Sequence, residues 1–469
     1  MKRRALLVVL AFATFATSVL AADVPSSAAK PSVLTNQTES RFRWNYKTLV
    51  GDYDRVGTRN SKWDKEARAA LEGFARIRAN PTGELALLIR GVSNSVEKAV
   101  SAGCTDPMVN YVHVRYVGRM RATTLQQEAD LFQQAAEELL ASDYHSLRKA
   151  YACYWTTEAF RRLSGSRTNL ARTATTYRGW LGTNIIETAK DASVPGAEIY
   201  ELCTMALDEL EYMTGLYDGW FKFIEPHLLN HWPEDYRLYF IKGRVYRHYA
   251  WRARGYGYAD SVSEQNFKLF NERLEVAAEA LRRAWKLNSQ DPKIPTEMIR
   301  VVRGLELGRD EMEKWFLRAM ALDPANYTAC QHKMFYLEPK WHGSEADMLA
   351  FGRECAASRK WKGRVPLILA EAHDALARYV PQENRDRYWK QPHVWKDIRS
   401  AYETYFSSPD AEQRWRHNYV RYAHWCGQWN VLYEQVPKMG WTNYPFFGGK
   451  EAFDQMARTA KEKSTKVAK

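Results

Sequence analysis

The chain has 469 residues, 45% of them hydrophobic and 26% charged, and its formal net charge is +13. This length suits two or three globular domains or one long repeat array. Beyond the N-terminal segment no apolar run is long enough to span a membrane. The absence of a CxxC pair among the six cysteines excludes a thioredoxin-like or zinc-knuckle site.

The N-terminal segment has the composition of a secretory signal peptide. Three basic residues, Lys2–Arg4, precede an apolar run at Ala5–Leu20, and Val19 and Ala21 stand three and one places before a suitable cleavage site. The apolar run is shorter than the roughly 20 residues of a membrane-spanning helix, which disfavours the alternative of a membrane anchor. We therefore predict a signal peptide over residues 1–21 and an exported protein, periplasmic or extracellular, that is not integral to the membrane.

The remaining chain stays basic after the three charges of Lys2–Arg4 are removed. In an exported protein, this charge favours a protein or an anionic envelope polymer as the partner, and we predict that nucleic acid is not a partner. The alternative is that the interspersed basic and acidic residues form only a solvated surface.

Helical periodicity follows a small, polar, proline-interrupted segment at 22–45, which we predict to be a flexible leader. Ser61 and Asp64 form a capping box before an apolar stripe, and Thr124 with Gln127 marks another helix start. Further amphipathic segments predict helices at 85–101, 145–163, 171–190 and 197–214. Because no segment alternates apolar and polar residues with the period of a strand, we predict an N-terminal helical region over 46–225.

From residue 226 the predicted helices come in pairs with short connectors. The pairs are 234–254 with 267–287, 295–306 with 309–321, 326–337 with 345–358, 363–379 with 384–406, and 410–425 with 428–436. Successive antiparallel pairs are typical of a helical solenoid, in which each pair buries its apolar face against its neighbours. We predict a repeat domain over 226–457 and a frayed basic tail over 458–469. A bundle of unrelated helices is the alternative.

One motif occurs twice in the trailing helices of these pairs, as LRRAWKLNSQDPK at Leu281–Lys293 and as WFLRAMALDPANY at Trp315–Tyr327. The residues that carry it are Ala277, Leu281 and Ala284 in the first copy and Phe316, Ala319 and Pro324 in the second, with Gly243 and Tyr246 on the first leading helix. This pattern resembles the tetratricopeptide repeat (TPR), in which small residues let two helices approach closely and a proline ends the second. The resemblance implies an all-α fold, an α-α superhelix built as a TPR-like solenoid of antiparallel helix pairs.

The resemblance covers residues 234–325 and has departures within that range. Met312 replaces a small residue, Ser289 stands in place of the proline, and Arg300 stands where glycine belongs. The segment Lys333–Ala356 also resembles an uncharacterised family of exported bacterial helical-repeat proteins, which implies no activity.

The sequence lacks the short motifs of common catalytic and phosphate-binding sites. It contains no HExxH, GxSxG or P-loop motif, and the spacing of Glu371, His373 and Asp374 scatters these residues around a helix, so we interpret His373 as a capped surface histidine. Cys330 and Cys355 could pair, although free buried thiols are the alternative. We predict no catalytic residue, no metal site and no cofactor.

The repeat resemblance implies a binding groove along the leading helices. Counted from Gly243, the residues that would face it are Arg237, Phe240, Arg244, Arg247 and His248. Guanidinium groups beside an aromatic ring suit a carboxylate or phosphate, which arginine binds in bidentate fashion. The alternative is that these arginines form ion pairs with Glu234, Asp235 or neighbouring repeats.

These observations together predict an exported helical-repeat binding or scaffold protein. Its partner would be macromolecular, with anionic groups as the candidate chemistry, and would lie in the concave groove. Two alternatives stay open: an enzyme acting on cell-wall glycan through two facing carboxylates on an all-α scaffold, and a structural spacer in an envelope assembly.

Overall fold

The computed structural model describes residues 36–467 except for 80–83, 165–167, 212–216, 256 and 258–260. The predicted signal peptide and residues 22–35 of the predicted leader lie outside the described residues. No β-strand occurs in the described ranges. The chain is all-α, as predicted.

The helices before the repeats are α1 (Asn36–Tyr46), α2 (Asp52–Val56), α3 (Asp64–Ala79), α4 (Leu85–Ser101), α5 (Pro107–His113), α6 (Arg119–Arg121), α7 (Leu125–Leu140), α8 (Ser146–Ser164), α9 (Thr168–Lys190), α10 (Gly196–Glu211) and α11 (Tyr217–His231). Two π-helical turns, Lys47–Gly51 and Val114–Gly118, join α1 to α2 and α5 to α6. Thr124 caps α7 as predicted, since its side chain accepts the backbone N–H of Gln127.

The helices of the repeats and the C terminus are α12 (Tyr236–Arg254), α13 (Glu264–Leu287), α14 (Lys293–Gly304), α15 (Arg309–Leu322), α16 (Tyr327–Tyr336), α17 (Glu345–Ala357), α18 (Ile368–Tyr379), α19 (Arg385–Trp389), α20 (Pro392–Phe406), α21 (Arg416–Trp425), α22 (Trp429–Gln435) and α23 (Lys450–Val467). None of the helices in the described ranges has the length and apolar character needed to cross a membrane.

The chain beyond α11 is a stack of antiparallel helix pairs. Each leading helix packs on its own trailing helix, and neighbouring leading helices also touch, because α14 contacts both α12 and α16, and α16 contacts α18. The leading helices are α12, α14, α16, α18 and α21, and the trailing helices are α13, α15, α17, α20 and α22. This arrangement is the predicted helical solenoid.

Small side chains allow the helices of a pair to nest. Gly243 on α12 faces α13, and a Cβ placed there would lie 2.6 Å from Leu281 Cγ, well inside van der Waals contact. The motif residues Ala277 and Ala284 on α13 and Ala319 on α15 are fully buried. The motif alanines are therefore buried between helices, and Gly243 is a site of close helix approach, as the resemblance to the tetratricopeptide repeat implied.

The predicted leader at 22–45 is wrong in its second half, where α1 is part of the fold. On α1, Arg41 Nε donates to Glu198 Oε1 of α10 at 2.6 Å, and Asn45 Nδ2 donates to the same oxygen at 2.8 Å. Arg78 of α3 also pairs with Glu198, at 2.5 Å. A buried carboxylate shared by three helices thus holds α1 in place.

The predicted boundary at 225/226 lies within α11 and does not coincide with a linker. Leu238 and Val245 of α12 belong to the core of the N-terminal helices, whereas Phe240 and Ala250 of the same helix belong to the core of the repeats. Helix α12 is therefore shared by the two regions.

Two further sequence predictions differ from the structure near the C terminus. The helix predicted over 384–406 is split into α19 and α20, because Pro392 lacks an N–H and disfavours helical geometry at Gln391. The tail predicted to fray, 458–469, continues α23 as far as Val467, with the Lys463 ammonium 4.5 Å from the Trp429 ring centre.

The six cysteines are buried and carry free thiols.

Candidate ligand-binding surface

Polar side chains follow one another across the leading helices, and we call this surface the leading-helix face. It begins at Arg247 on α12, whose Nε donates to Glu297 on α14. It ends in a cavity between α16, α18 and α21, which Gln331 and Glu371 line. Since each leading helix contributes, the face depends on the stacking order of the repeats.

The first part of the face is an arginine cluster, defined as Arg244, Arg247, His248, Glu297, Arg300 and His332. Arg247 is buried, and its Nη2 donates to His248 Nε2 at 2.8 Å. Arg300 Nη1 lies 3.5 Å from Glu297 Oε2. The cluster therefore places guanidinium groups from two helices around one buried carboxylate.

Burial and the arginine charges shift the pKa values of the other titratable groups in the arginine cluster. Burial would raise the pKa of Glu297, but the charges of Arg247 and Arg300 hold it well below its ordinary value. Burial and the charge of Arg247 lower the pKa of His248 to about 2, and burial and Arg300 lower the pKa of His332 to about 3. Both histidines are consequently neutral at physiological pH and act as hydrogen-bonding groups.

The second part of the face is the polar cavity, which has a volume of about 320 Å³. Its wall combines planar polar groups with aromatic rings: Tyr327, Gln331, Glu371, Asp374, Tyr402, Trp415, Asn418 and Arg421. Tyr327 Oη donates to Glu371, and Gln331 Nε2 donates to Glu371 Oε2 at 3.1 Å. Burial raises the pKa of Glu371 despite these hydrogen bonds, which favour the ionised form.

The structure brings together three of the five predicted groove residues, namely Arg244, Arg247 and His248. Arg237 lies at the start of α12, where its Nη2 pairs with Asp235 Oδ2 at 2.5 Å, and Phe240 is buried in the core. Tyr200 of α10 lies against both of these side chains, so α10 covers this half of the predicted surface. The ligand-binding role of the five residues stays a prediction.

The interpretation of His373 as a surface residue is wrong. Its ring is fully buried, with Nδ1 2.8 Å from Tyr388 Oη and Nε2 3.1 Å from Asp397 Oδ2. Glu371 and Asp374, three residues apart, both line the polar cavity. The sequence prediction placed Glu371, His373 and Asp374 on different sides of the helix. In the structure Glu371 and Asp374 share one helix face, and His373 points into the interior.

The sequence prediction missed most of the face, including Glu297, Arg300, His332 and the polar cavity. A signal was present, because Glu297 and Arg300 are three residues apart on a leading helix and share a face. Extending the groove count from α12 to the next repeat would have found Glu297, which takes the place of Phe240, but not Arg300, which takes the place of Gly243. Their burial and pairing depend on packing and had no local signal.

No protein-family model matches this chain, and no curated protein sequence matches it. Among solved structures it is similar to human IFIT1 as a dimer with m7Gppp-AAAA, at 11% identity and a TM-score of 0.30, over 93% of this chain and 91% of that one. It is also similar to a monomeric mutant of IFIT1 with Gppp-AAAA, at 12% identity and a TM-score of 0.30, over 78% and 84%. The likeness concerns helical architecture, which the packing of this chain shows independently.

The comparison corrects one sequence prediction, the exclusion of nucleic acid from the partners. Those two structures are complexes with Gppp-AAAA and m7Gppp-AAAA.

Proposed function

We propose that this protein is an exported helical-repeat binding protein that holds an extended anionic macromolecule along the leading-helix face. The observation that carries the proposal is the arginine cluster, in which Arg300, 24% exposed, adds a positive charge beside the buried Arg247–Glu297 pair. Arginine is weakly hydrated and forms bidentate hydrogen bonds with carboxylates, phosphates and sulfates, so it suits repeated contacts with a polyanion.

The polar cavity supports the same proposal for the uncharged groups of the polymer, since Glu371 and Asp374 in its wall would repel a second anionic group. Its planar polar side chains, Gln331 and Asn418, lie beside the rings of Trp415 and Tyr402. Such a wall offers hydrogen bonds to polar edges and apolar contact to flat faces. A ligand spanning from the arginine cluster to the cavity would contact several repeats at once, which explains why the site is spread over helices and has no short sequence motif.

Export is part of the proposal and is supported by the basic and apolar segments Lys2–Arg4 and Ala5–Leu20. N-terminal sequencing of the secreted protein tests it. A mature chain that still begins at Met1 would contradict export by this route.

The test of polymer binding uses two arginines at opposite ends of the face. The side chains of Arg300 and Arg378 are 24% and 63% exposed, whereas Arg247 is unsuitable because its buried pairing with Glu297 supports the fold. We expect the double variant Arg300→Gln/Arg378→Gln to bind a polyanion about thirtyfold more weakly, since each of the two charged contacts contributes roughly 1 kcal/mol. Binding to dextran sulfate, polyadenylate and polyglutamate is measured at fixed salt, with neutral dextran as the blank.

The matched control removes two charges from trailing helices. Lys268 on α13 and Lys314 on α15 are 77% and 52% exposed, and the variant Lys268→Gln/Lys314→Gln has the same net charge as the test variant. Equal weakening by both variants would contradict the proposal, because it would mean that only net charge matters. Shortening of a polymer during incubation would indicate the enzyme alternative, and no binding to any polymer would favour the spacer.

A further inference from the structure

A second cavity, of about 1040 Å³, lies where the leading helices turn into their trailing helices. It is bounded by the C-terminal ends of α12 and α14, by α13, and by the turn after α16. Trp251, Phe267 and Trp341 are half-buried in its wall, and Lys340 is exposed at its edge. The cavity is thus rich in aromatic rings and open to solvent.

Arg303 is the unusual residue of this cavity. It is only 8% exposed, and its guanidinium carbon lies 4.3 Å from the ring centre of Phe335, 5.0 Å from that of Trp341 and 5.5 Å from that of Trp251. Its Nε is buried and has no hydrogen-bond partner within the described part of the chain. No carboxylate forms an ion pair with Arg303 in the same ranges. A charged side chain therefore lines the cavity without a counter-ion from the protein.

The nearby carboxylate is engaged elsewhere. Glu338 Oε2 pairs with Lys340 Nζ at 2.8 Å and accepts the hydroxyl of Tyr379 at 2.8 Å. Aromatic faces attract a guanidinium and offset part of its lost hydration, but a buried cation is stable only when an anion or several hydrogen bonds complete its surroundings. Burial, together with the charges of Arg300 and Arg247, lowers the pKa of Arg303 to about 9. An anion bound beside Arg303 would supply the missing counter-charge.

We propose that this cavity binds an oxyanion, a carboxylate or a phosphate, that is attached to a planar ring. The oxyanion would accept hydrogen bonds from the guanidinium of Arg303 and would be attracted by Lys340, while the ring would stack on the half-buried faces of Trp251 or Trp341. A guanidinium binds a carboxylate or phosphate in the bidentate geometry that a single nitrogen cannot offer. This assigns a small-ligand site that is separate from the polymer surface.

The other charged groups of the wall restrict the ligand further. Glu275 and Glu306 also line the cavity, and they would repel a second negative group placed away from Arg303. The site therefore suits a ligand with one oxyanion and an apolar or aromatic body, and it disfavours a long polyanion. Arg254 also lines the cavity, and its Nη1 donates to the carbonyl oxygen of Gly257 at 3.0 Å.

The test is isothermal titration of the full-length protein with four probes: phenyl phosphate, benzoate, inorganic phosphate and phenol. We expect both ring-bearing anions to bind, inorganic phosphate to bind about tenfold more weakly because it lacks the stacking contact, and phenol not to bind. The tighter of the two ring-bearing anions identifies the oxyanion. Arg303→Gln is expected to weaken binding of that anion by at least about tenfold, the effect of losing a charge-assisted hydrogen bond.

Two further variants keep the test decisive if Arg303→Gln fails to fold. Lys340→Met removes an exposed charge at the cavity edge and is expected to weaken binding about threefold, while Lys314→Met, on α15 away from the cavity, leaves binding unchanged. The proposal is overturned if neither ring-bearing anion binds the native protein, or if Lys340→Met and Lys314→Met bind them equally. These outcomes do not depend on whether the protein binds a polyanion in the separate polymer assay.

Discussion

Three glutamates on amphipathic helices differ in how burial and neighbouring charges shift their pKa values. They are Glu198, Glu297 and Glu371. Arginines lower the pKa of Glu198 and Glu297 although burial opposes them. Glu371 accepts hydrogen bonds from Tyr327 and Gln331, which do not offset the burial that raises its pKa. At the scale of single residues, the ionisation of a buried carboxyl thus depends on which cations the fold places beside it.

Glu198 supplies a prediction about stability and pH. Burial would raise the pKa of Glu198, but Arg78 and Arg41 lower it from 4.5 to about 2. Its ionised form is therefore favoured in the folded state, by about 3 kcal/mol. That stabilisation is fully present above pH 4.5 and is lost as the pH falls towards 2. We expect Glu198→Gln to lower the free energy of unfolding by about 3–5 kcal/mol at pH 7 and by less at pH 3, measured by urea denaturation.

The neighbouring Glu201 is the control for Glu198. It pairs with the same two arginines but its side chain is 37% exposed, so Glu201→Gln is expected to cost no more than about 1 kcal/mol. The explanation would be wrong if the two substitutions cost the same, or if the cost of Glu198→Gln did not depend on pH.

At the scale of helices, local signals located most elements and failed where packing intervened. The helix predicted at 85–101 matches α4, and the segment at 171–190 corresponds to α9, which starts at Thr168. Pro392 divides the segment 384–406 into two helices. This proline was a local signal, but the prediction gave more weight to the apolar periodicity. The first half of α12 is covered by α10, which no count along a single repeat can reveal.

Gly243 provides a prediction about helix packing. Its replacement by alanine would put a Cβ 2.6 Å from Leu281 Cγ and 3.3 Å from the carbonyl oxygen of Ala277. Both neighbours are fully buried and have little room to move. We expect Gly243→Ala to lower the free energy of unfolding by about 1–3 kcal/mol, seen as a lower melting temperature.

Gly91 is the matched control, since it also lies inside a helix, α4, but among the described residues no atom outside its own stretch of helix lies within 4 Å of its would-be Cβ. Gly91→Ala is expected to stabilise the protein by up to about 1 kcal/mol, because alanine is the better helix former. Stabilisation by both substitutions would show that Gly243 does not mark a close helix contact.

At the scale of the whole molecule, α12 joins the N-terminal helices to the repeats. Leu238 and Val245 of α12 pack on the N-terminal side, while Phe240 and Ala250 pack on the repeats. In a stacked array each unit is stable only against its neighbours. The N-terminal helices therefore act as the cap of the repeat array.

A fragment comprising residues 226–469 tests this role. It begins within α11 and would expose the side of α12 that carries Leu238, Ile241 and Val245. Because exposed apolar side chains of this size cost roughly 1.5–3 kcal/mol each, we expect the fragment to bind a hydrophobic dye and to melt at a lower temperature than the full chain. Melting at the same temperature without dye binding would contradict the role of the N-terminal helices as a cap.

The sequence by itself determined the all-α class, the pairing of helices and the close contacts at Ala277, Ala284 and Ala319, because apolar periodicity and small residues are local properties of a chain. Only the tertiary structure decided which charged residues meet. It covered Arg237 and Phe240 with α10, buried His373 against Asp397, and brought Arg247 to Glu297. Burial and ion pairing join residues from different helices, so the surface on which function depends is set by how the helices stack.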